Sequence, residues 1–395
     1  MFERFDPAPV DPILKLIGLY KEDPRENKID LGVGVFRDAS GNTPIMDAVR
    51  VSEGRLHDKQ TTKAYVGPAG DEVFNTEMAK LVFGDSLQAD RTRAIQTPGG
   101  CGALRMLSDM LYKVASDRTV WVTDPTWGNH YPIMQGSGFE VKAYPYLNRD
   151  NKTVNVDAMM SKLATLGQKD IVILHGCCHN PTGAELQPAH WDAIAELAVK
   201  NGFFPYVDLA YQGFGDSLES DAYGARKLAE TVESMVLAAS CSKNFGLYRD
   251  RVGSAMLIGK NAQETDVARG QILSTARSSY SMPPDHGAAI VSQILTDDGL
   301  KSSWDTELTD MRGRLLDLRQ KLADSLREKS GSDAWDFIAR HRGMFSLLML
   351  SDEQVDSLRN DYAVYAVAGG RVNIAGIQDE VQLNTFADAL VAVTQ

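Results

Sequence analysis

Few folds accommodate the alternation that runs through the middle of this chain. Short apolar runs recur at RAIQTP (93–98), TVWVTD (119–124), DIVILHG (170–176), FFPYVDLA (203–210), SMVLAASCS (234–242) and VGSAMLIG (252–259). Amphipathic stretches such as ALRMLSDMLYKVA (103–115) and HWDAIAELAVKNG (190–202) fall between them. A strand with no polar face is buried on both sides. Such strands separated by helices predict an α/β fold, with a mostly parallel sheet covered by helices on both faces. The alternation stops near residue 295, where a long charged helical pattern (308–329) leads into the strand-like pieces GMFSLLML and YAVYAVAGGRVNIAG. This tail predicts a smaller α+β domain. The expected division is a large domain over 46–300, with an N-terminal arm (1–45) and a small domain (301–395) beside it. The arm fits neither pattern; the tail domain and a neighbouring subunit are both open to it as packing partners.

The 395 residues carry 41 basic against 53 acidic side chains, a net charge of −12. A general nucleic-acid binder carries a basic excess, so no nucleic-acid partner is expected. A small anionic ligand remains open, because a few placed arginines set the local field. The apolar runs are too short to cross a bilayer, so no membrane partner is expected. The opening MFERFDPAPV lacks a basic stretch followed by an apolar one, as a secretory signal would have. Cys101, Cys177, Cys178 and Cys241 form no spaced disulfide framework. Together these features predict a cytoplasmic protein.

In an open parallel sheet, ligands bind beyond the carboxyl ends of the strands. The first run leads into Gly99-Gly100-Cys101-Gly102 and then a helix, a turn that offers N–H groups and a positive dipole end to an anion. The second leads to Trp127 and His130, and the third to Asn180. Asp208 closes the fourth run, with Tyr211 three residues on. Ser240, Ser242 and Lys243 close the fifth, with Arg251 shortly after. A carboxylate or an amine at a buried strand end is costly without a partner or a task. Each feature alone also fits a bland reading: a tight turn, a cap or a snorkelling lysine. Their recurrence at successive strand ends favours a site. His175, Cys177, Cys178 and His179 suggest zinc, but neighbours in an extended segment point to opposite sides and no second ligand pair exists. No metal is expected.

An imine-forming lysine, a carboxylate, a flat aromatic and an anion cup suit pyridoxal 5'-phosphate. The sequence resembles the class I aminotransferases of the aspartate/aromatic amino acid type, fold type I pyridoxal-phosphate enzymes. The blocks that carry the resemblance include TKAYVGPAG (62–70), TPGGCGALR (97–105), DPTWGNH (124–130), LHGCCHNPTG (174–183), SCSKNFGLYRDRVG (240–253), ARSSYSMPP (276–284) and GGRVNIAG (369–376), in the family's order over nearly the whole chain.

The resemblance implies that Lys243 forms the Schiff base and then moves the substrate proton. It implies that Asp208 pairs with the pyridine nitrogen with His130 behind it, that Tyr211 and Asn180 bind the phenolic oxygen, and that Trp127 covers the ring. Gly100, Cys101, Ser240, Ser242 and Arg251 would hold the phosphate, with Tyr65 reaching it from the partner of a homodimer. Arg371 would clamp the substrate α-carboxylate in the bidentate geometry that lysine lacks. Arg277 of the other subunit would meet a distal carboxylate, and Gly34 would lie on a segment that closes over substrate. The implied reaction moves the amino group of aspartate or an aromatic amino acid to 2-oxoglutarate by a ping-pong mechanism. The small-molecule partners are amino acids and 2-oxo acids.

Three positions depart from the family pattern. Cys101 replaces the usual Thr or Ser of the phosphate cup, and a thiol is a weaker donor. Met282 and Ala64 stand where strict aspartate enzymes commonly place Asn. Both remove polarity beside the side-chain pocket and lean toward aromatic substrates, while Arg277 keeps acidic ones. The alternatives are a strict aspartate enzyme, a lyase or decarboxylase on the same fold, and a non-catalytic cofactor-binding regulator. Two acid-recognising arginines argue against the lyase, and the absence of a basic region argues against the regulator.

Overall fold

The computed structural model describes residues 1–7 and 12–395. Its strands are β1 (Ile29–Asp30), β2 (Thr92–Pro98), β3 (Thr119–Asp124), β4 (Glu140–Pro145), β5 (Asp170–His175), β6 (Phe204–Leu209), β7 (Met235–Ser240), β8 (Val252–Ile258), β9 (Phe345–Leu347), β10 (Val364–Tyr365) and β11 (Arg371–Asn373). The large sheet has the order β2-β8-β7-β6-β5-β3-β4. The pairs from β7 through β6, β5 and β3 to β4 are parallel, and β8 runs antiparallel to both β7 and β2. Every apolar run of the sequence is a strand of this sheet. β4 carries no apolar run in the sequence: it is an edge strand whose EVKAYP pattern leaves Tyr144 as its one buried residue. One-sided pairing removes the pressure for an apolar run there.

The inner strands alternate between two covered faces. In β5, Val172 and Leu174 join the core under the helices Glu72–Phe83, Pro188–Asn201 and Asp285–Thr296. Ile171 and Ile173 join the opposite core, under Gly99–Ala115, His130–Gly136 and Ala262–Ser279.

A separate core gathers Ile29 and Leu31 with Val364 of β10, Val372 of β11 and the last helix, Glu380–Thr394, whereas Phe345 and Leu347 of β9 join the core of the large sheet. The long helix Asp298–Ser330 serves two cores. Trp304, Leu308 and Leu315 pack under the large sheet, while Leu318, Leu322 and Leu326 enter the tail core. Asp297 caps it by accepting from the Leu300 N–H at 3.0 Å, and Gly331 ends it with a φ of 66°.

Of the two partners open to the N-terminal arm, its later part takes the tail. β1 pairs in parallel with β10, and Asn373 donates to the carbonyls of Val33 (2.6 Å) and Val35 (2.8 Å). Among the described residues no helix is long and apolar enough to cross a membrane.

Candidate active site

One cavity of about 210 Å³ opens at the carboxyl ends of the parallel strands. Asp208 lies in it at the end of β6, buried, with its Oδ2 3.0 Å from His130 Nε2. His130 has no exposed surface, and its Nδ1 is 2.8 Å from Thr126 Oγ1, which is in turn 3.2 Å from His175 Nε2. Burial pushes the Asp208 carboxyl up, but the hydrogen bond from His130 and nearby positive charge outweigh it, so the pKa falls below the ordinary value. Asp208 is therefore held as a carboxylate. Lys243 follows β7 into the same cavity, its Nζ 4.8 Å from the centre of the Tyr211 ring. Loss of hydration lowers the Lys243 pKa, with Asp208 opposing the shift. A lowered pKa puts more of the amine in its neutral, nucleophilic form.

An anion cup lies beside them. The helix Gly99–Ala115 starts there, directly after β2. Gly99 takes a φ of +73°, and a Cβ on it would come within 2.4 Å of Arg251 Nη2. A Cβ on Gly253 would lie 2.4 Å from the Gly99 carbonyl carbon, so the glycines let β8 press against the helix start. Arg251 Nη1 donates to Ser242 Oγ at 3.5 Å, and the Ser242 N–H to Ser240 Oγ at 3.2 Å. Cys101 sits in the first helical turn, where Asn129 Nδ2 approaches its Sγ at 3.8 Å. Burial raises the Cys101 thiol above its ordinary pKa.

The far wall is built by the tail. Arg371 opens β11, paired with Leu347 of β9. Its Nη2 donates to the Gly32 carbonyl at 2.9 Å, and its guanidinium lies 4.6 Å from the centre of the Phe345 ring. Its Nε is buried with no partner, and so is Asn180 Oδ1 on the adjoining wall. Buried polar atoms left unpaired at a cavity wall are sites for a ligand to satisfy. Gly34 lines the cavity too, and a Cβ there would meet the Phe345 ring at 3.2 Å. Trp127 and Tyr211 complete the lining.

The chain thus brings together Lys243, Asp208, Tyr211, Asn180, Trp127, Gly34, Gly100, Cys101, Ser240, Ser242, Arg251 and Arg371. It does not bring in Tyr65, which is 90% exposed, or Arg277, whose exposed side chain bonds Ser281. Phe345 and Tyr248 also line the cavity and escaped the sequence reading. Phe345 reads there as an ordinary apolar residue of a short strand. Tyr248 lies inside the Lys243–Arg251 block, among residues that fit the phosphate cup, and no strand end marks it out in the sequence.

The cysteine-rich segment arranges itself differently from the zinc pattern considered above. Cys177 and Cys178 approach Asp221 with ligand atoms within 4.8 Å of one another. Asp221 already accepts the N–H groups of Gly213, Gly215 and Asp216, and burial raises both thiols, Cys178 to about 12. His175 and His179 instead pack ring against ring with centroids 4.1 Å apart.

A lysine amine, a buried carboxylate backed by a histidine, an anion cup and a guanidinium with a free donor in one cavity define an enzyme that works on amino acids through a bound carbonyl cofactor. Residues 26–390 match the family Aminotransferase class I and II, and the chain belongs to that family; it is an aminotransferase. It is 44% identical to an aromatic-amino-acid aminotransferase of Paracoccus denitrificans over 393 residues, covering 100% of both chains. It is 42% identical to the aspartate aminotransferase of Escherichia coli K12 over 396 residues, again covering 100% of both. A solved aromatic-amino-acid aminotransferase of Burkholderia pseudomallei, covalently bound to pyridoxal phosphate, superposes with a TM-score of 0.97 at 36% identity over 100% of both chains.

Proposed function

We propose that the protein is a pyridoxal-phosphate-dependent aminotransferase that moves the amino group of aspartate and of aromatic amino acids to 2-oxoglutarate. The observation that carries this reading is the sharing of one cavity by Lys243, the His130-backed Asp208 and Arg371. The donor set fits the cofactor. The Asn180 side-chain amide, which has a donor Nδ2 beside its unpaired Oδ1, and the cup of Gly100, Cys101, Ser240, Ser242 and Arg251 offer what a phenolic oxygen and a phosphate require. When bound, pyridoxal phosphate supplies an electron sink that makes the substrate α-proton removable.

The chain's residues then divide the work. Lys243 would give the amine that anchors the cofactor and afterwards carry the proton from the substrate α-carbon. Asp208, kept ionised by His130, would keep the pyridine nitrogen protonated. Tyr211 and Asn180 would hold the phenolic oxygen, and Trp127 would offer its flat face to the ring. Arg371 offers its Nε to the substrate α-carboxylate while Nη2 stays tied to Gly32. Gly34 gives the N-terminal segment a close fit against Phe345, which excludes water once substrate is bound. Amino acid and 2-oxo acid use the same cavity in turn, which predicts ping-pong kinetics.

Two readings concern the assembly. Tyr65 and Arg277 lie outside their own chain's cavity, which supports a homodimer in which each reaches the partner's site. The separate core of the tail supports a division into a large cofactor-binding domain over 46–300 and an arm plus small domain over 1–45 and 301–395. Free thiols at all four cysteines support a cytoplasmic location.

Arg277→Leu tests the substrate assignment. It should cut kcat/KM for aspartate by at least about tenfold, one charge-assisted hydrogen bond's worth, and leave phenylalanine nearly unchanged. Equal losses for both would remove Arg277 from the distal-carboxylate role.

A further inference from the structure

Arg319 is the one charged residue among the largest fully buried side chains, with 0% exposure, and its hydrogen bonds go to neutral acceptors, with the buried Glu185 acting on it only at longer range. Every bond it makes goes to one short segment. Nη1 donates to the Ile338 carbonyl at 3.1 Å and to Ser346 Oγ at 2.7 Å. Nη2 donates to the carbonyls of Phe345 at 2.6 Å, Gly343 at 2.8 Å and Arg342 at 3.4 Å, and Nε to Gly343 at 3.2 Å. Stability alone does not explain a buried guanidinium that no carboxylate hydrogen-bonds, because its desolvation is costly. Burial accordingly pushes its pKa down to about 9.

The segment it grips touches both walls of the cavity. Phe345 lies under the Arg371 guanidinium, and β9 is registered against β11 with Leu347 opposite Arg371 and Phe345 opposite Asn373. On the other wall, the Arg342 N–H donates to the Gly183 carbonyl at 2.9 Å. A Cβ on Gly183 would come within 2.3 Å of the Phe345 carbonyl, the acceptor that Arg319 holds. Gly183 closes the turn that begins at His179 and carries Asn180, its N–H donating to the His179 carbonyl at 2.7 Å. A shift of residues 342–346 therefore moves Arg371 relative to Asn180.

We propose that Arg319 is a positioning residue for the α-carboxylate clamp: by fixing the carbonyls of 338–345 it sets where Arg371 stands against the rest of the site. It touches neither substrate nor cofactor and acts only through Phe345 and the β9–β11 ribbon. The inference rests on the clamp role given to Arg371 above.

Arg319→Lys keeps the charge but cannot reach all these acceptors with one ammonium. The test uses the holoenzyme, with KM and kcat measured for aspartate and for phenylalanine, alongside the visible absorption of the cofactor and the melting temperature. A displaced Arg371 weakens its charge-assisted hydrogen bond to the α-carboxylate, so KM should rise about tenfold or more for both amino acids. kcat should change less than KM, and the cofactor absorption should stay in place. Equal loss for both substrates separates the α-carboxylate clamp from Arg277. Unchanged KM values, with only a lower melting temperature, would make Arg319 purely structural and overturn the inference. If Arg319→Lys does not fold, Ser346→Ala removes a single bond of the same group; a matched KM rise for both substrates supports the inference and unchanged KM values overturn it. Arg371→Lys runs beside them. If it leaves both KM values unchanged, the clamp reading itself fails. If it raises them and the Arg319 and Ser346 variants do not, only the positioning role fails.

Discussion

Replacing Arg371 by lysine isolates the bidentate clamp, because it preserves charge and removes geometry. In the structure Nη2 is occupied by the Gly32 carbonyl at 2.9 Å, and the buried Nε has no partner. An arginine there can hold the N-terminal segment through Nη2 and still offer Nε to a carboxylate. A lysine ammonium in the same space serves one of them well and the other poorly. The loss amounts to one charge-assisted hydrogen bond, about 1.5–3 kcal/mol, or about 10- to 150-fold in KM at 1.4 kcal/mol per decade. Aspartate and phenylalanine share the α-carboxylate, so both should lose by the same factor. Loosening of the Gly32 contact would add to the loss without changing its symmetry. The assay is steady-state KM for each amino acid at saturating 2-oxoglutarate. KM values within about twofold of the parent for both would refute the clamp reasoning, and a loss confined to aspartate would move Arg371 to the distal carboxylate.

Three other expectations follow from the geometry. Lys243→Ala should abolish turnover while the folded protein still binds pyridoxal phosphate reversibly; turnover near the parent's would remove Lys243 from its role. Gly253→Ala would set a Cβ 2.4 Å from the backbone of Gly99, which cannot swing away, so it should cost about 1–3 kcal/mol of stability and weaken cofactor binding, read by melting and by cofactor titration. Burial raises Glu185 from 4.5 to about 8, so the folded state binds its proton more tightly than the unfolded chain. That contribution is full below pH 4.5 and is lost as pH rises toward about 8. Glu185→Gln should remove this fall in melting temperature, and an unchanged pH profile would sink the assignment.

The inner sheet was legible because burial on both faces demands apolar runs: Ile171 to Leu174 read as a strand and form one. Strand direction has no such signal, so nothing in VGSAMLIG marked β8 as antiparallel to its neighbours. Glu140–Pro145 escaped because an edge strand is paired on one side only and tolerates Glu140 and Lys142. The residues at the strand ends could be picked out because Asp208 and Lys243 stand where an apolar run would otherwise continue. The far wall could not be read this way. Phe345 matters through its contact with Arg371, 26 residues on in the chain, and no local pattern encodes that pairing. The arm's docking on the tail was equally hidden, since Asn373 recognises the carbonyls of Val33 and Val35 and not their side chains. Exposed Tyr65 and Arg277 could be assigned only by resemblance.

The central claim is that one cavity takes the amino group from both acidic and aromatic amino acids. The most direct measurement is the absorption spectrum of the pyridoxal-phosphate-loaded protein with aspartate and with phenylalanine, each added without a 2-oxo acid. The visible band of the cofactor should give way to a near-ultraviolet one with both amino acids. Bleaching by aspartate alone would show that Met282 and Ala64 do not open the pocket to aromatic rings. A protein that shows no such band after pyridoxal phosphate is added would contradict the assignment of Lys243 and Asp208 altogether.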